Sequence, residues 1–156
     1  MLPLSVSQYQ QRLDSTLVYV RAQAAICPMN MQHVYSSYLV VKTAGLVEVA
    51  VRDILGEYAR QRGNVELQRY ISAMIERENS LNCEKIERLF LRFAPNWWTD
   101  LTVAIPIAQR EAVDSIKTLR DQFAHGKPNG TGFAIVDGYY ALTRSFVQSV
   151  SNYIIP

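Results

Sequence analysis

Apolar residues recur at steps of three and four along almost the whole chain, and this regularity confines it to helices packed on helices. Val6, Tyr9, Leu13, Leu17, Val20 and Ala24 form one stripe on a first predicted helix. Cys27-Pro28-Met29-Asn30 then breaks it, because proline has no N–H to give to a helix interior. A long second helix is predicted from about Met31 to Arg62, with Val47, Val51, Ile54 and Tyr58 inward. Arg60, Arg62 and Gly63 form its stop signal, cations in the last turn and glycine after it. Leu67, Ile71 and Met74 mark a short third helix. Asn82 is a fitting cap for a fourth, with Glu84 in its first turn and Ile86, Leu89, Phe90 and Phe93 buried. Pro106 stands at the start of a fifth, lined by Ala112, Ile116, Leu119 and Phe123. Gly126, Pro128, Gly130 and Gly132 supply a turn-rich loop. A last helix, from about Ala134 to Ile154, is expected to bury Tyr139, Leu142, Phe146, Val150 and Tyr153. The run from Leu101 to Ile105 is the only strand candidate. The expectation is one all-α domain over residues 1–156, a bundle of roughly five or six helices.

Composition sets the class without naming a function. The chain has 156 residues, 49% apolar and 19% charged, with 7 glycines and 6 prolines. That is enough to close one core without metal or disulfide staples, and too apolar for a disordered chain. Net charge is +2, too small to advertise nucleic acid by bulk electrostatics. Lysine is confined to Lys42, Lys85, Lys117 and Lys127, so arginine outnumbers it. Arginine suits bidentate phosphate contact better than lysine does, which is only a hint. Cys27 and Cys83 make neither a disulfide framework nor a metal signature, and read as small hydrophobes in a reducing compartment. The first residues have neither the basic start nor the apolar run of a signal peptide. The most apolar stretch, near Tyr38 to Val51, is interrupted by Lys42, Thr43 and Glu48 and reads as too short to span a bilayer. The expectation is a cytoplasmic protein with no membrane partner.

Few residues here can carry chemistry. His33 and His125 are the only histidines, and no His, Cys or carboxylate set falls at zinc spacing, so no metal or other cofactor is expected. His33, near the start of the second helix, reads as a surface or capping residue. Gly126 to Gly132 lacks the Gly-Lys-Ser/Thr ending of a phosphate cradle and follows no strand. Trp97 and Trp98 read as packing rather than as a stacking platform. What remains is Arg120-Asp121-Gln122-Phe123-Ala124-His125-Gly126, an arginine and a histidine five residues apart at the end of a predicted helix. As a bare pattern it is weak.

This segment resembles the Arg-polar-x3-His motif of HEPN domains, the all-α family of small prokaryotic ribonucleases and their relatives, with Asp121 at the polar position. GLVEVAVRDILGEYARQR, from Gly45 to Arg62, and NCEKIERLFLRF, from Asn82 to Phe93, resemble the RiboL-PSP branch of that family. Together they run from about Tyr38 onward in the family's order; the first helix is less diagnostic. The resemblance implies a HEPN-like homodimer and an endoribonuclease with Arg120 and His125 as catalytic residues. It also suggests a glutamate at Glu48 facing Arg120. The same glutamate makes an i, i+4 pair with Arg52 equally well. One class of related toxins carries a tyrosine two residues after the histidine, which a partner antitoxin nucleotidylates. Lys127 stands there, so that route is closed, while a different cognate antitoxin or a phage-defence setting stays open. Some relatives are non-catalytic RNA-binding or interaction modules, usually without the Arg-x4-His pair.

The residue types suit the chemistry. An RNA 2′-hydroxyl is a built-in nucleophile, and its attack yields a 2′,3′-cyclic phosphate and a 5′-hydroxyl end. The reaction needs one group to take a proton, one to return it, and a donor for the charge that grows on phosphorus-bound oxygen. Histidine suits proton transfer near neutral pH, and a guanidinium offers two directed donors. Asp121, four residues before His125, is placed to orient the imidazole or to sit in a solvent-facing charge pair. Lys127 is placed to touch RNA backbone or to be simply exposed. Five residues at about 100° each put Arg120 and His125 about 140° apart on an ideal helix. They share one phosphate only if the helix frays at Gly126, or if a second chain contributes across a two-fold axis.

Overall fold

The computed structural model describes residues 1–127 and 130–156, and every regular element among them is an α-helix. In order they are α1 (Leu4–Ile26), α2 (Met29–Arg62), α3 (Val65–Ile75), α4 (Cys83–Phe90), α5 (Trp97–Ala104), α6 (Ile107–Ala124) and α7 (Phe133–Ile154). The described helices therefore number seven rather than five or six. Pro128 and Asn129 of the expected glycine-rich turn lie outside the described residues.

The long α2 is the axis of the bundle, packing against α1, α3, α6 and α7. Leu39, Leu46, Val47, Ala50, Val51, Ile54 and Leu55 are buried on it. Thr43 and Ser36 are also buried, and each hydroxyl donates back to a carbonyl one turn earlier, Leu39 at 2.7 Å and Gln32 at 3.0 Å. Their polarity is satisfied inside the helix, so they pack as small side chains. Tyr9 ties α1 to α2 by donating its hydroxyl to the Lys42 carbonyl at 2.8 Å. A Cβ on Gly45 would stand 2.7 Å from that hydroxyl, so the close approach of these helices uses the glycine. The Tyr38–Val51 run belongs to a helix of 34 residues, which by length and composition is able to cross a membrane. The run is therefore not too short to span a bilayer, and 44% of the helix's most apolar window is buried inside the bundle.

Three expectations change. Leu101–Ile105 is not a strand: Leu101 closes the last turn of α5, its carbonyl accepting from the Ile105 N–H, and both side chains are buried. A single i, i+4 apolar pair is too short a pattern to separate helix from strand. The buried face of α7 is rotated from the expected stripe. Val136, Tyr140, Thr143, Phe146, Val147, Val150 and Ile154 point inward, while Tyr139, Leu142 and Tyr153 lie at its margins. Because α7 packs on both α2 and α6, its covered arc is wide and takes in Thr143 and Ser151, which an apolar-only reading passes over. Gly63 caps α2 with an extended backbone (φ −114°), so it is not there for a left-handed turn. Trp97 is buried and stacks on Phe93 with ring centroids 5.8 Å apart, which fits the packing role. The Asn82 side chain caps α4 by accepting from the Lys85 N–H at 3.0 Å, and Pro106 precedes α6, both as expected.

Candidate active site

Two stripes run along α6. Ala112, Val113, Ile116 and Leu119 face the core. Arg110, Asp114, Lys117 and Asp121 recur on another face at spacings of four, three and four. This second stripe receives the segment joining α3 to α4. The Cys83 N–H donates to Asp114 Oδ1 at 2.8 Å, and its thiol to the Arg110 carbonyl at 3.4 Å. The Ser80 hydroxyl donates to Asp121 Oδ1 at 3.4 Å. From the opposite side, Glu48 on α2 accepts the Ser80 N–H at 2.7 Å. Ser80 adopts φ +53°, a left-handed backbone that a side chain disfavours, so these partners outweigh its local preference.

Arg120 is built onto this anchor. Its Nη1 donates to the Ser80 hydroxyl at 3.3 Å and to Asp121 Oδ1 at 3.4 Å. Lys117 Nζ holds the other Asp121 oxygen at 2.6 Å. The hydrogen bond from Lys117 pulls the Asp121 carboxyl below the usual carboxylate range; partial burial opposes it, and Arg120 and Ser80 pull the same way. The result is two cations around one carboxylate, with the Arg120 side chain still 40% exposed.

His125 ends α6. The Gly126 N–H donates to the Phe123 carbonyl at 3.1 Å and the Lys127 N–H to the Gln122 carbonyl at 2.9 Å, with Gly126 at φ +64°. This is a Schellman cap, and glycine fits its left-handed position because it lacks a Cβ. The helix therefore closes cleanly instead of fraying at Gly126. His125 itself stays near helical geometry (φ −95°, ψ 11°), so within one chain it keeps the wide angle from Arg120 that helical spacing dictates. Its side chain is exposed, and among the described residues its ring makes no hydrogen bond or ion pair.

The expected site residues thus fall into two groups. Arg120, Asp121 and Glu48 converge on Ser80, while His125 and Lys127 stand exposed at the helix end. Glu48 does not pair with Arg120 directly; Ser80 stands between them. The alternative Glu48–Arg52 ion pair is not formed either, and Arg52 Nε is buried without a hydrogen bond. Asp121 points back to Lys117, one turn earlier, and not forward to His125. The sequence reading missed Ser80 and Lys117. Lys117 was findable as a cation four residues before Asp121. Ser80 carried no local signal, since its partners lie 32 and 40 residues away. His33 is exposed, as expected of a surface residue, and both cysteines are free, with Cys83 buried and Cys27 half-buried. Among the described residues, no three His, Cys, Asp or Glu side chains gather as a metal site would require.

Comparison of the chain with protein-family models, with curated proteins and with solved structures found no match.

Proposed function

We propose that the chain is a HEPN-type endoribonuclease, acting as a homodimer that cuts RNA by 2′-hydroxyl attack and releases 2′,3′-cyclic phosphate and 5′-hydroxyl ends. The observation that carries this reading is the contrast at the end of α6. Arg120 is held by Ser80 and Asp121 with its side chain still 40% exposed, while His125, five residues on, is exposed and unengaged. A restrained guanidinium suits a donor that meets phosphoryl charge as it develops, because little reorganisation is left to pay at the transition state. An unengaged imidazole suits proton transfer. The 2′-hydroxyl serves as nucleophile, so the scheme calls on no metal ion.

The clean Schellman cap supports the two-chain version of the site. One chain presents its arginine and its histidine in directions about 140° apart. A second copy, related by a two-fold axis, brings a histidine to face each arginine, so each cleft holds one guanidinium for the phosphoryl charge and one imidazole that takes the 2′-hydroxyl proton and passes it to the departing 5′-oxygen. Asp121 serves to fix Arg120 in this scheme, and Glu48 fixes Ser80 beneath it. Lys127 contributes charge for the RNA backbone. A cytoplasmic toxin held by a cognate antitoxin, or a phage-defence nuclease, is the setting that fits such an activity. The test is cleavage of a labelled RNA by the purified chain in excess EDTA, with the new ends identified. Cyclic phosphate and 5′-hydroxyl ends are expected. An absolute need for added divalent ion, or 3′-hydroxyl ends, overturns the mechanism. RNA binding without cleavage would turn the reading to a non-catalytic module.

A further inference from the structure

A second group of polar side chains lies away from Arg120 and His125, in a groove between α1 and α2. Tyr9, Arg12, Leu13 and Thr16 line it from α1, and Tyr38 and Lys42 from α2, around a volume of about 260 Å³. Its polar groups are mostly donors. Among the described residues, neither Arg12 nor Lys42 is paired with a carboxylate. Arg12 spends only its Nε, on the Gln8 carbonyl at 3.3 Å, which leaves both terminal nitrogens. The Tyr38 hydroxyl has no hydrogen-bond partner among the described residues. Tyr9 and Thr16 direct their hydroxyl protons to backbone carbonyls, so they shape the wall. Lys42 Nζ stands 5.8 Å over the centroid of the Tyr38 ring. Two unpaired cations beside a half-exposed aromatic ring match a ligand that carries an anion and a flat apolar face together.

We propose that this groove is a binding subsite for single-stranded RNA, in which Lys42 and Arg12 hold a backbone phosphate and Tyr38 stacks on the adjoining base. Cation-plus-aromatic grooves bind single strands in this way, because every base offers a face and every linkage a charge. The position suits a strand that reaches the Arg120 end of the molecule. Tyr9 packs over Gly45, one turn before Glu48, and its hydroxyl is pushed above the ordinary tyrosine range by burial, with the Tyr38 and Glu48 charges adding to the effect. Glu48 in turn holds the Ser80 on which Arg120 rests. The groove and the Arg120 anchor therefore flank the same stretch of α2. The choice of RNA as the ligand rests on the ribonuclease reading, whereas the anion-and-ring chemistry of the groove stands without it.

Fluorescence anisotropy with a labelled 2′-O-methyl hexauridylate tests the subsite, since that probe has no nucleophile and cannot be cut by the proposed route. Tyr38→Ala is expected to weaken binding by about ten-fold or more, the loss of one stacked base. Lys42→Gln and Arg12→Gln are each expected to lower the slope of log Kd against log salt, and the double variant to lower it by about 0.7, one phosphate contact on a single strand. Tyr38→Phe, which keeps the ring, should recover most of the lost affinity. Circular dichroism and melting confirm that each variant is folded, and Tyr70→Ala, which removes an exposed ring on α3, should bind as the wild type does. Unchanged affinity and salt slope in folded Tyr38→Ala and Lys42→Gln would overturn the subsite, even if the protein cuts RNA. Displacement of the RNA by polyglutamate as readily as by unlabelled RNA would also overturn it, marking the groove as a surface for acidic protein. Groove-dependent binding with no RNA cleavage by the wild type would leave the subsite standing and remove the ribonuclease reading.

Discussion

Arg120 rests its guanidinium on the hydroxyl of Ser80, 3.3 Å away and 40 residues distant in the chain. Ser80 is held there from below, its N–H on Glu48, and it accepts a left-handed backbone to stay. Removing the hydroxyl leaves Arg120 with Asp121 alone. Ser80→Ala is expected to lower kcat on RNA by about ten- to a hundred-fold, as loss of alignment does, with a smaller change in KM. Ser80→Gly loses the same hydroxyl but relieves the left-handed backbone, which costs a residue with a Cβ about 1–2 kcal/mol. The glycine variant should therefore be more stable than the alanine variant by about 1 kcal/mol, yet equally slow. Urea titration beside single-turnover cleavage checks both halves. Wild-type kcat in Ser80→Ala would show that the contact is only structural.

Asp121 divides its carboxylate between Lys117 and Arg120. Asp121→Asn keeps the shape and removes the charge, so both cations lose their restraint. A fall in kcat of about ten-fold is expected, less than in Arg120→Ala, because the guanidinium is still present. Since Lys117 holds the Asp121 carboxyl below its ordinary range, this group adds stability above the unfolded carboxylate range near pH 3.9, and loses it as pH falls through the folded value. Acid melts should thus separate wild type from Asp121→Asn at neutral pH and bring them together in strong acid.

How much of this was legible beforehand differs between fold and site. Long stripes such as Leu13-Leu17-Val20-Ala24 and Val47-Val51-Ile54-Tyr58 mark helices without ambiguity, because about three turns repeat the same face. α5 was not legible, since eight residues give one apolar pair and no period. The α7 face was misplaced because Thr143 and Ser151 are buried hydroxyls; the Ser151 hydroxyl donates to the Met1 carbonyl at 2.7 Å, a partner 150 residues away. At the site, the Arg120 and His125 pair was visible as a spacing. That Asp121 turns toward Lys117 depends on a choice between two neighbours one turn either side, which spacing alone does not decide.

Tyr140 is almost wholly buried on α7, and its hydroxyl donates to Asp14 Oδ1 on α1 at 2.7 Å. Arg144 holds the same carboxylate, with Nη1 at 3.0 Å from Oδ2. Tyr140→Phe removes one hydrogen bond to a charged acceptor and keeps the ring, so a loss of about 1–2 kcal/mol is expected. For a chain of this size that is a fall in Tm of about 2–8 °C. An unchanged Tm would mean that Arg144 and water satisfy Asp14 equally well.

Burial pushes the Cys83 thiol up to about 12, with the Asp114 charge adding to it. The folded protein favours the neutral thiol, so Cys83 contributes its stability in full below the unfolded thiol range near pH 8.5 and loses it progressively toward pH 12. The urea midpoint of the wild type should fall more between pH 8 and pH 10.5 than that of Cys83→Ala. In the native protein at pH 8, Cys83 should resist iodoacetamide and become labelled only in denaturant. Rapid native labelling of Cys83 would contradict the burial argument.

In the proposed enzyme, Arg120 and His125 form one site shared between two copies of the chain. Purified Arg120→Ala and His125→Ala should each cut RNA about 10²–10⁴ times more slowly than the wild type. The two are then mixed, dissociated, reassembled and assayed in EDTA. With arginine and histidine drawn from opposite subunits, half of the reassembled dimers carry one intact cleft, and the mixture should recover about a quarter of the wild-type rate. Folded single variants that cut at the wild-type rate, or a reassembled mixture as inactive as its parts, would contradict the shared site.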